Sequence, residues 1–360
     1  MKTRTRLSLI LILGVATATN LPAQKPRVAN AKLEARSAAS GLDGEFRGLV
    51  QNQAGPAWIG YATPVVPGNH TMCCCDSGRY GTSRGGCALE GDHSFTMNSD
   101  GSKRVSLEGP EHMFVLFRVA EKKVGKIRIY SEDCELDVGG LTLFWLTDVK
   151  TADSVALLSS FVRPADEDES GERPISGALT AIALTNDGAA DRALDQFVAS
   201  GQPEHLREKA AFWLGSARGR HGFETLDRLI RQDSDDQFRK HATFAISVSR
   251  QPDAVATLIS VAKNDQASGV RGQALFWLAQ KAGQKAVGAI SDAIDNDPET
   301  DVKKRAVFAL AQLPHDEGVP LLIHVARTNH NREVRKQAMF WLGQSNDPRA
   351  VAFFEEVLLR

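Results

Sequence analysis

The sequence predicts an α+β chain, with a small β-rich N-terminal domain followed by an all-α solenoid of about six helical hairpins. Three observations lead there. The C-terminal half repeats itself every 32 residues, placing Phe212, Phe244, Phe276, Phe308 and Phe340 in one column. Upstream of the repeats, short apolar runs are punctuated by Gly and Pro clusters, the texture of strands and turns. All five cysteines, Cys73, Cys74, Cys75, Cys87 and Cys134, fall in that upstream part.

The first element, residues 1–23, reads as a secretory signal peptide. Lys2, Arg4 and Arg6 open it, Leu7 to Val15 is mostly apolar, and Leu21-Pro22-Ala23 offers a cleavage site. The apolar run is well short of the ~18–20 residues a membrane span needs. Gln24 rather than Cys follows the cut, which argues against a lipid anchor, and no later stretch could span a membrane. Export to the periplasm or the medium is therefore expected. Cleavage leaves 40 basic against 44 acidic residues. That balance gives no support for a nucleic-acid partner, which usually needs a basic face.

Residues 24–44 are rich in Ala, Ser, Lys and Arg and read as a flexible linker. A Cys-containing β-rich domain spans residues 45–165. Its strands are expected at Trp58 to Thr63, Met113 to Val119, Lys126 to Tyr130 and Leu141 to Leu146, with a turn over Glu121 to Gly125 and a helix over Thr151 to Val162. The acidic run at residues 166–174 suits an exposed linker to the solenoid, residues 175–360.

Three readings of the cysteines stay open. In an oxidising compartment disulfides form. Adjacent cysteines rarely bond to each other, so one of the triplet is expected to join Cys87 and another Cys134. A metal site is the second reading, with His70, His93 and His112 as further ligands, although no Cys-x-x-Cys spacing is present. A reactive thiol is the third. There is no Gly-x-Ser-x-Gly, no His-Glu-x-x-His and no phosphate loop. No catalytic residue and no cofactor are assigned.

Within the repeats, Leu206, Ala210, Leu214 and Ala217 advance by four, four and three, one face of a helix. Ala242, Ala274, Ala306 and Ala338 continue the small column, as expected where a neighbouring helix crosses closely. A second helix carries Leu226, Leu258, Ile290, Leu322 and Phe354. Gly219, Pro252, Gly283, Pro314 and Pro348 lie between helices. Each unit is thus helix, turn, helix, turn, and only stacking buries its apolar faces. Residues 175–202 read as a degenerate first copy.

Asp precedes a basic residue by six places in Asp233–Arg239, Asp265–Arg271 and Asp297–Lys303. With this pattern the units resemble HEAT repeats, of the short kind found in phycobilisome-lyase-type proteins. Asn329 before Arg335 and Gly201 before Arg207 depart from it. The resemblance implies a superhelical solenoid that binds protein, and does not imply lyase activity. The Asp and Arg columns read as a charge ladder linking adjacent loops. Trp213, Ala245, Trp277, Ala309 and Trp341 alternate large and small, as interdigitating core layers do.

The resemblance also directs attention to the surface lined by the second helices. Arg228, Ser260, Asp292, His324 and Glu356 form its non-repeating column and are the candidate partner-binding residues. As core, Phe276→Ala is expected to cost about 3–5 kcal/mol. Changes at Arg228 or Glu356 should stay within about 0.5 kcal/mol. The expected function is an exported protein-binding scaffold. The alternative is an enzymatic or metal-binding N-terminal domain whose substrate the solenoid recruits.

Overall fold

The computed structural model describes residues 25–68, 87–90, 110–162 and 174–359. The N-terminal elements are β1 (Arg27–Ala29), β2 (Lys32–Ser37), α1 (Leu42–Asn52), β3 (Ala57–Pro64), β4 (Cys87–Ala88), β5 (His112–Ala120), β6 (Lys123–Ser131), β7 (Glu135–Asp137), β8 (Thr142–Thr147) and α2 (Thr151–Ser159). Five strands form one sheet in the order β2-β8-β3-β5-β6, and β1-β7-β4 form a second, smaller one.

Strands β3, β5 and β8 are apolar on both faces because both faces of the larger sheet are covered. On one face Trp58, Phe114, Leu116, Leu143 and Trp145 join Leu136 and Val138 in a compact cluster. On the other, Ile59, Tyr61, Val115, Phe117 and Leu146 meet Leu42 and Phe46 of α1 and Val155 and Leu158 of α2. Phe46 packs edge-on to Phe117 at 4.7 Å, and Ser154 Oγ donates to the buried Tyr61 hydroxyl at 2.8 Å. Gly60 lies where a Cβ would come within 2.5 Å of Leu116, so the close approach requires glycine.

Two expectations need correction here. Residues 25–44 are not a linker: they hold β1, β2 and the start of α1. The six residues of β2 are largely exposed, so no apolar pattern announces them. They are a strand because they pair in parallel with Lys32 opposite Thr142 through Ser37 opposite Thr147. The turn after β5 is also shorter than Glu121 to Gly125. Glu121 and Lys122 both take positive φ, 51° and 58°, and β6 restarts at Lys123. Two left-handed residues in a two-residue hairpin match the right-handed strand twist.

Six helical hairpins follow: α3 (Pro174–Leu184) with α4 (Gly188–Phe197), α5 (Glu204–Ala217) with α6 (Gly219–Gln232), and α7 (Asp236–Val248) with α8 (Ala254–Asn264). Then come α9 (Ser268–Ala282) with α10 (Val287–Asn296), α11 (Thr300–Ala311) with α12 (His315–Thr328), and α13 (Arg332–Gln344) with α14 (Pro348–Leu358). The degenerate first copy is therefore a full hairpin. The columns of Leu206, Ala210 and Leu214 are 1% exposed or less in every copy from α5 to α13. A second small column, Gly222, Ala254, Ala286, Gly318 and Ala350, is also buried. At Gly222 a Cβ would lie 1.9 Å from the Leu214 carbonyl oxygen, so the two helices of that hairpin touch through backbone.

Residues 163–173, which cover most of the expected acidic linker, lie outside the described residues. On either side of them, the sheet and the solenoid share one apolar core. Gly177 of α3 sits on β6, where a Cβ would be 2.3 Å from the Ile127 carbonyl oxygen. Val65 bridges Thr185, and the Val66 amide donates to the Leu184 carbonyl at 2.8 Å. Buried Arg218 ties the joint from the next hairpin. It donates to Ala183 and Thr185 carbonyls at 3.1 and 2.7 Å and pairs with Asp191 at 2.8 Å. A cation there also suits the carboxyl end of α3.

Candidate partner-binding surfaces

The most regular polar feature of the solenoid is a buried ion-pair ladder. Arg239 donates to Asp265 through Nε and Nη2, both at 3.0 Å. Arg271 grips Asp297 the same way, at 2.8 and 3.0 Å, and Arg207 pairs with Asp233. These side chains are at most 8% exposed. Each arginine bonds the carboxylate of the following copy. For Arg239 and Arg271 the Asp six places before offers only a main-chain oxygen, at 2.9 Å in both. The ladder thus links adjacent loops. Its aspartate side runs out at Asn329, where Lys303 turns to the Asp295 carbonyl instead. Buried and mutually satisfied, these charges are structural rather than a ligand site.

The expected stripe runs along the second helices. Arg228 and His324 are exposed, whereas Ser260, Asp292 and Glu356 are half-buried. Asp292 pairs with Lys263 at 3.5 Å and accepts from Asn296 at 2.7 Å, contacts that hold its carboxyl below the ordinary range. Glu356 pairs with Arg327. Between α8 and α10 lies a groove of about 350 Å³, with Ile259, Ala262, Ala289 and Ala293 as apolar wall and Lys263 and Asp292 at its edge.

On the first helices the structure departs from expectation. The Phe column is not core. Phe212, Phe244, Phe276 and Phe308 are half-buried, and Phe340 is 54% exposed. With three Trp they form one chain of eight rings. Phe212 contacts Trp213 at 5.2 Å and stacks on Phe244 at 6.0 Å. Phe244 meets Trp277 at 4.8 Å, and Trp277 meets Phe276 at 4.8 Å. Phe276 stacks on Phe308 at 5.7 Å, Phe308 meets Trp341 at 4.8 Å, and Trp341 meets Phe340 at 5.0 Å. The large–small alternation explains the order. Where the adjacent residue is Ala245 or Ala309 the phenyl rings stack directly, and where it is Trp277 or Trp341 the indole is wedged between them. Those two indole N–H groups are buried without a partner, while the Trp side chains as a whole are half-buried. Neighbouring helices pack on the other sides of these first helices and leave this side partly open to solvent.

The N-terminal domain adds one polar cluster. Glu90 accepts from Trp58 Nε1 at 2.8 Å and from Arg118 at 2.7 and 3.1 Å, which ties both sheet and loop together. Burial pushes the Glu90 carboxyl up, but the Arg118 and Trp58 hydrogen bonds outweigh it and hold the group below its usual value. Cys73, Cys74, Cys75, His70 and His93 lie outside the described residues, and only the backbone of Cys87 is described, in β4. Cys134 is buried. His112 pairs with Glu132 at 3.2 Å. Among the described residues no cluster of His, Cys, Asp and Glu could hold a metal ion, and no helix is long and apolar enough to cross a membrane.

Stacked helical hairpins with constant buried columns define a helical-repeat solenoid. Residues 288–360 match the family model of HEAT repeats, and the same period runs back through four more hairpins. No curated protein matches the chain. Among solved structures, human deoxyhypusine hydroxylase is similar at 17% identity, over 57% of this chain and 90% of that one, with a TM-score of 0.30. The Escherichia coli protein YibA is similar at 20% identity, over 53% and 71% of the two chains, with a TM-score of 0.36. The complex of CpcE and CpcF of phycocyanin lyase from Nostoc sp. PCC7120 is similar at 17% identity, over 57% and 80%, with a TM-score of 0.29. These likenesses concern the fold alone.

Proposed function

We propose that this protein is an exported, non-enzymatic scaffold that binds a protein partner along the second helices of its HEAT-type solenoid. The observation that supports the reading most is the contrast between columns. The buried columns hold their residue types through five copies, while Arg228, Ser260, Asp292, His324 and Glu356 differ at every step on an accessible face. Repeat solenoids use such extended surfaces for binding. The groove beside Asp292 gives that face a recess in which Ile259, Ala262, Ala289 and Ala293 lie beside Lys263, Asp292 and Asn296. Export rests on the leader-like residues 1–23, and an oxidising compartment would let the cysteines pair.

Photo-crosslinking side chains at positions 228 and 324 of the full chain test the binding surface, with position 32 on the exposed edge strand as control. One shared adduct at 228 and 324, absent at 32 and competed by untagged protein, is expected. Equal labelling at all three positions refutes the surface. Mass spectrometry of the mature amino terminus tests export, with a chain beginning at Gln24 expected.

A further inference from the structure

The eight-ring aromatic chain on the first helices is unabsorbed by the second-helix reading. Its rings are partly solvent-exposed at every copy from Phe212 to Phe340. Exposed aromatic surface of this continuity is unusual on a folded chain. The residues beside it are not neutral. Side chains three and four places before a helical residue are its surface neighbours. At those two places beside the Phe column stand Lys209, Lys240, His241, Lys304, Arg305 and Lys336, against one acid, Glu208. His241 pairs with Glu208, Lys304 with Asp301 and Lys336 with Glu333, so Lys209, Lys240 and Arg305 carry the net positive charge of this border. Lys209, His241, Arg305 and Lys336 are exposed. Four places after each Phe the residues are Ser216, Val248, Gln280, Gln312 and Gln344, all uncharged. The chain as a whole carries a formal charge of −1, so this cationic border is local.

We propose that this aromatic ladder is a docking track for an extended, acidic segment of another polypeptide that carries apolar side chains. Ring geometry favours side chains over flat ligands. Phe212 and Phe244 lie 15° from parallel, and Phe276 and Phe308 5°, so these rings spend faces on each other and offer edges. Ring edges are the positive part of the aromatic quadrupole and suit carboxylate and carbonyl oxygens. A base or sugar stacking on a free ring face finds few here. The cationic border repels a basic segment and attracts an acidic one. With helices about 8–10 Å apart, four steps span roughly 32–40 Å. An extended chain rising about 3.3 Å per residue covers that with about 12 residues.

The proposal rests on the protein-binding reading only in taking a polypeptide as occupant, since it uses a different face. The test is fluorescence anisotropy of the full chain with a labelled peptide of alternating Glu/Asp and Leu/Phe, about 12 residues long to match that span, and a second peptide with Lys replacing each acid. The acidic peptide should bind at least roughly tenfold more tightly than the basic one. Lys240→Glu with Arg305→Glu should weaken it by a further factor of roughly ten. Phe340→Ser, at an exposed ring, should weaken it while leaving the circular dichroism melt in place. The double variant Arg228→Glu/His324→Glu, on the second helices, should change nothing. No binding, or equal binding of both peptides, overturns the ladder and leaves the second-helix reading standing. Loss of binding only in the Arg228/His324 variant overturns the ladder in favour of that other face.

Discussion

Asp265→Ala is the sharpest test of how the solenoid holds together. The Asp265 carboxylate is 7% exposed and takes both nitrogens of the Arg239 fork, which is 3% exposed. It also accepts the Ala267 amide at 2.8 Å in the turn before α9. Removing it leaves the Arg239 guanidinium buried, with only the Asp233 carbonyl as partner. Breaking a buried pair from one side costs about 3–5 kcal/mol, because the remaining charge stays desolvated. For a unit the size of the solenoid that is roughly 6–20 °C in melting temperature. Urea denaturation of the full chain followed by circular dichroism measures it. The double variant Arg239→Met/Asp265→Leu removes both charges and should recover most of the loss. Asp301→Ala, in an ion pair whose aspartate is 82% exposed, should have no measurable effect. If Asp265→Ala is as mild as Asp301→Ala, or the double variant is as unstable as the single, the ladder is not structural.

Phe276→Ala should cost about half of a full core deletion, roughly 1.5–2.5 kcal/mol, because the ring is half-buried. A loss near 4 kcal/mol by urea titration would place the Phe column back in the core. Gly177→Ala should cost about 1–3 kcal/mol by overpacking against the Ile127 backbone, and limited proteolysis should then cleave near the joint between sheet and solenoid. An unchanged pattern would mean that the two do not pack there. Glu90 has a lowered folded-state pKa, so its stabilisation is present above about pH 4.3 and is lost as pH falls through the folded value. The stability gap between wild type and Glu90→Gln should therefore shrink in acid, and a gap independent of pH counts against the cluster. Burial raises the Tyr61 hydroxyl well above its ordinary range, and the Ser154 hydrogen bond offsets only part of that. Its stabilisation is complete below about pH 10 and declines as pH rises toward the folded value. Tyr61→Phe should flatten that alkaline decline, as measured by urea midpoints across the range.

Much of the solenoid was legible because a 32-residue period exposes itself residue by residue. Burial in the Ala210 and Leu214 columns, the six hairpins and the loop-linking ladder all follow from that alignment. Misreading the Phe column had a definite cause. Apolar identity at helical spacing says that a residue avoids water, but not whether a neighbouring helix or a neighbouring ring does the covering. The alternation of Trp and Ala at 213, 245, 277, 309 and 341 was the signal that could have corrected it. A size alternation with double the repeat period means that each ring touches its counterparts in adjacent copies. Strand β2 was missed for the opposite reason, since Lys32–Ser37 is polar and becomes a strand only through β8.

By itself the sequence determined the unit, its length, its number of copies and the residues that each copy buries, because those depend on spacing along one chain. Tertiary structure alone decided which carboxylate each arginine holds, that the sheet and first hairpin share a core, and which side of the first helices stays open. Those outcomes depend on distances between residues 26 or more places apart, such as Arg239 to Asp265 and Gly177 to Ile127. No local pattern encodes such a distance. Stacking sets it, through the backbone contacts that glycine and alanine columns permit.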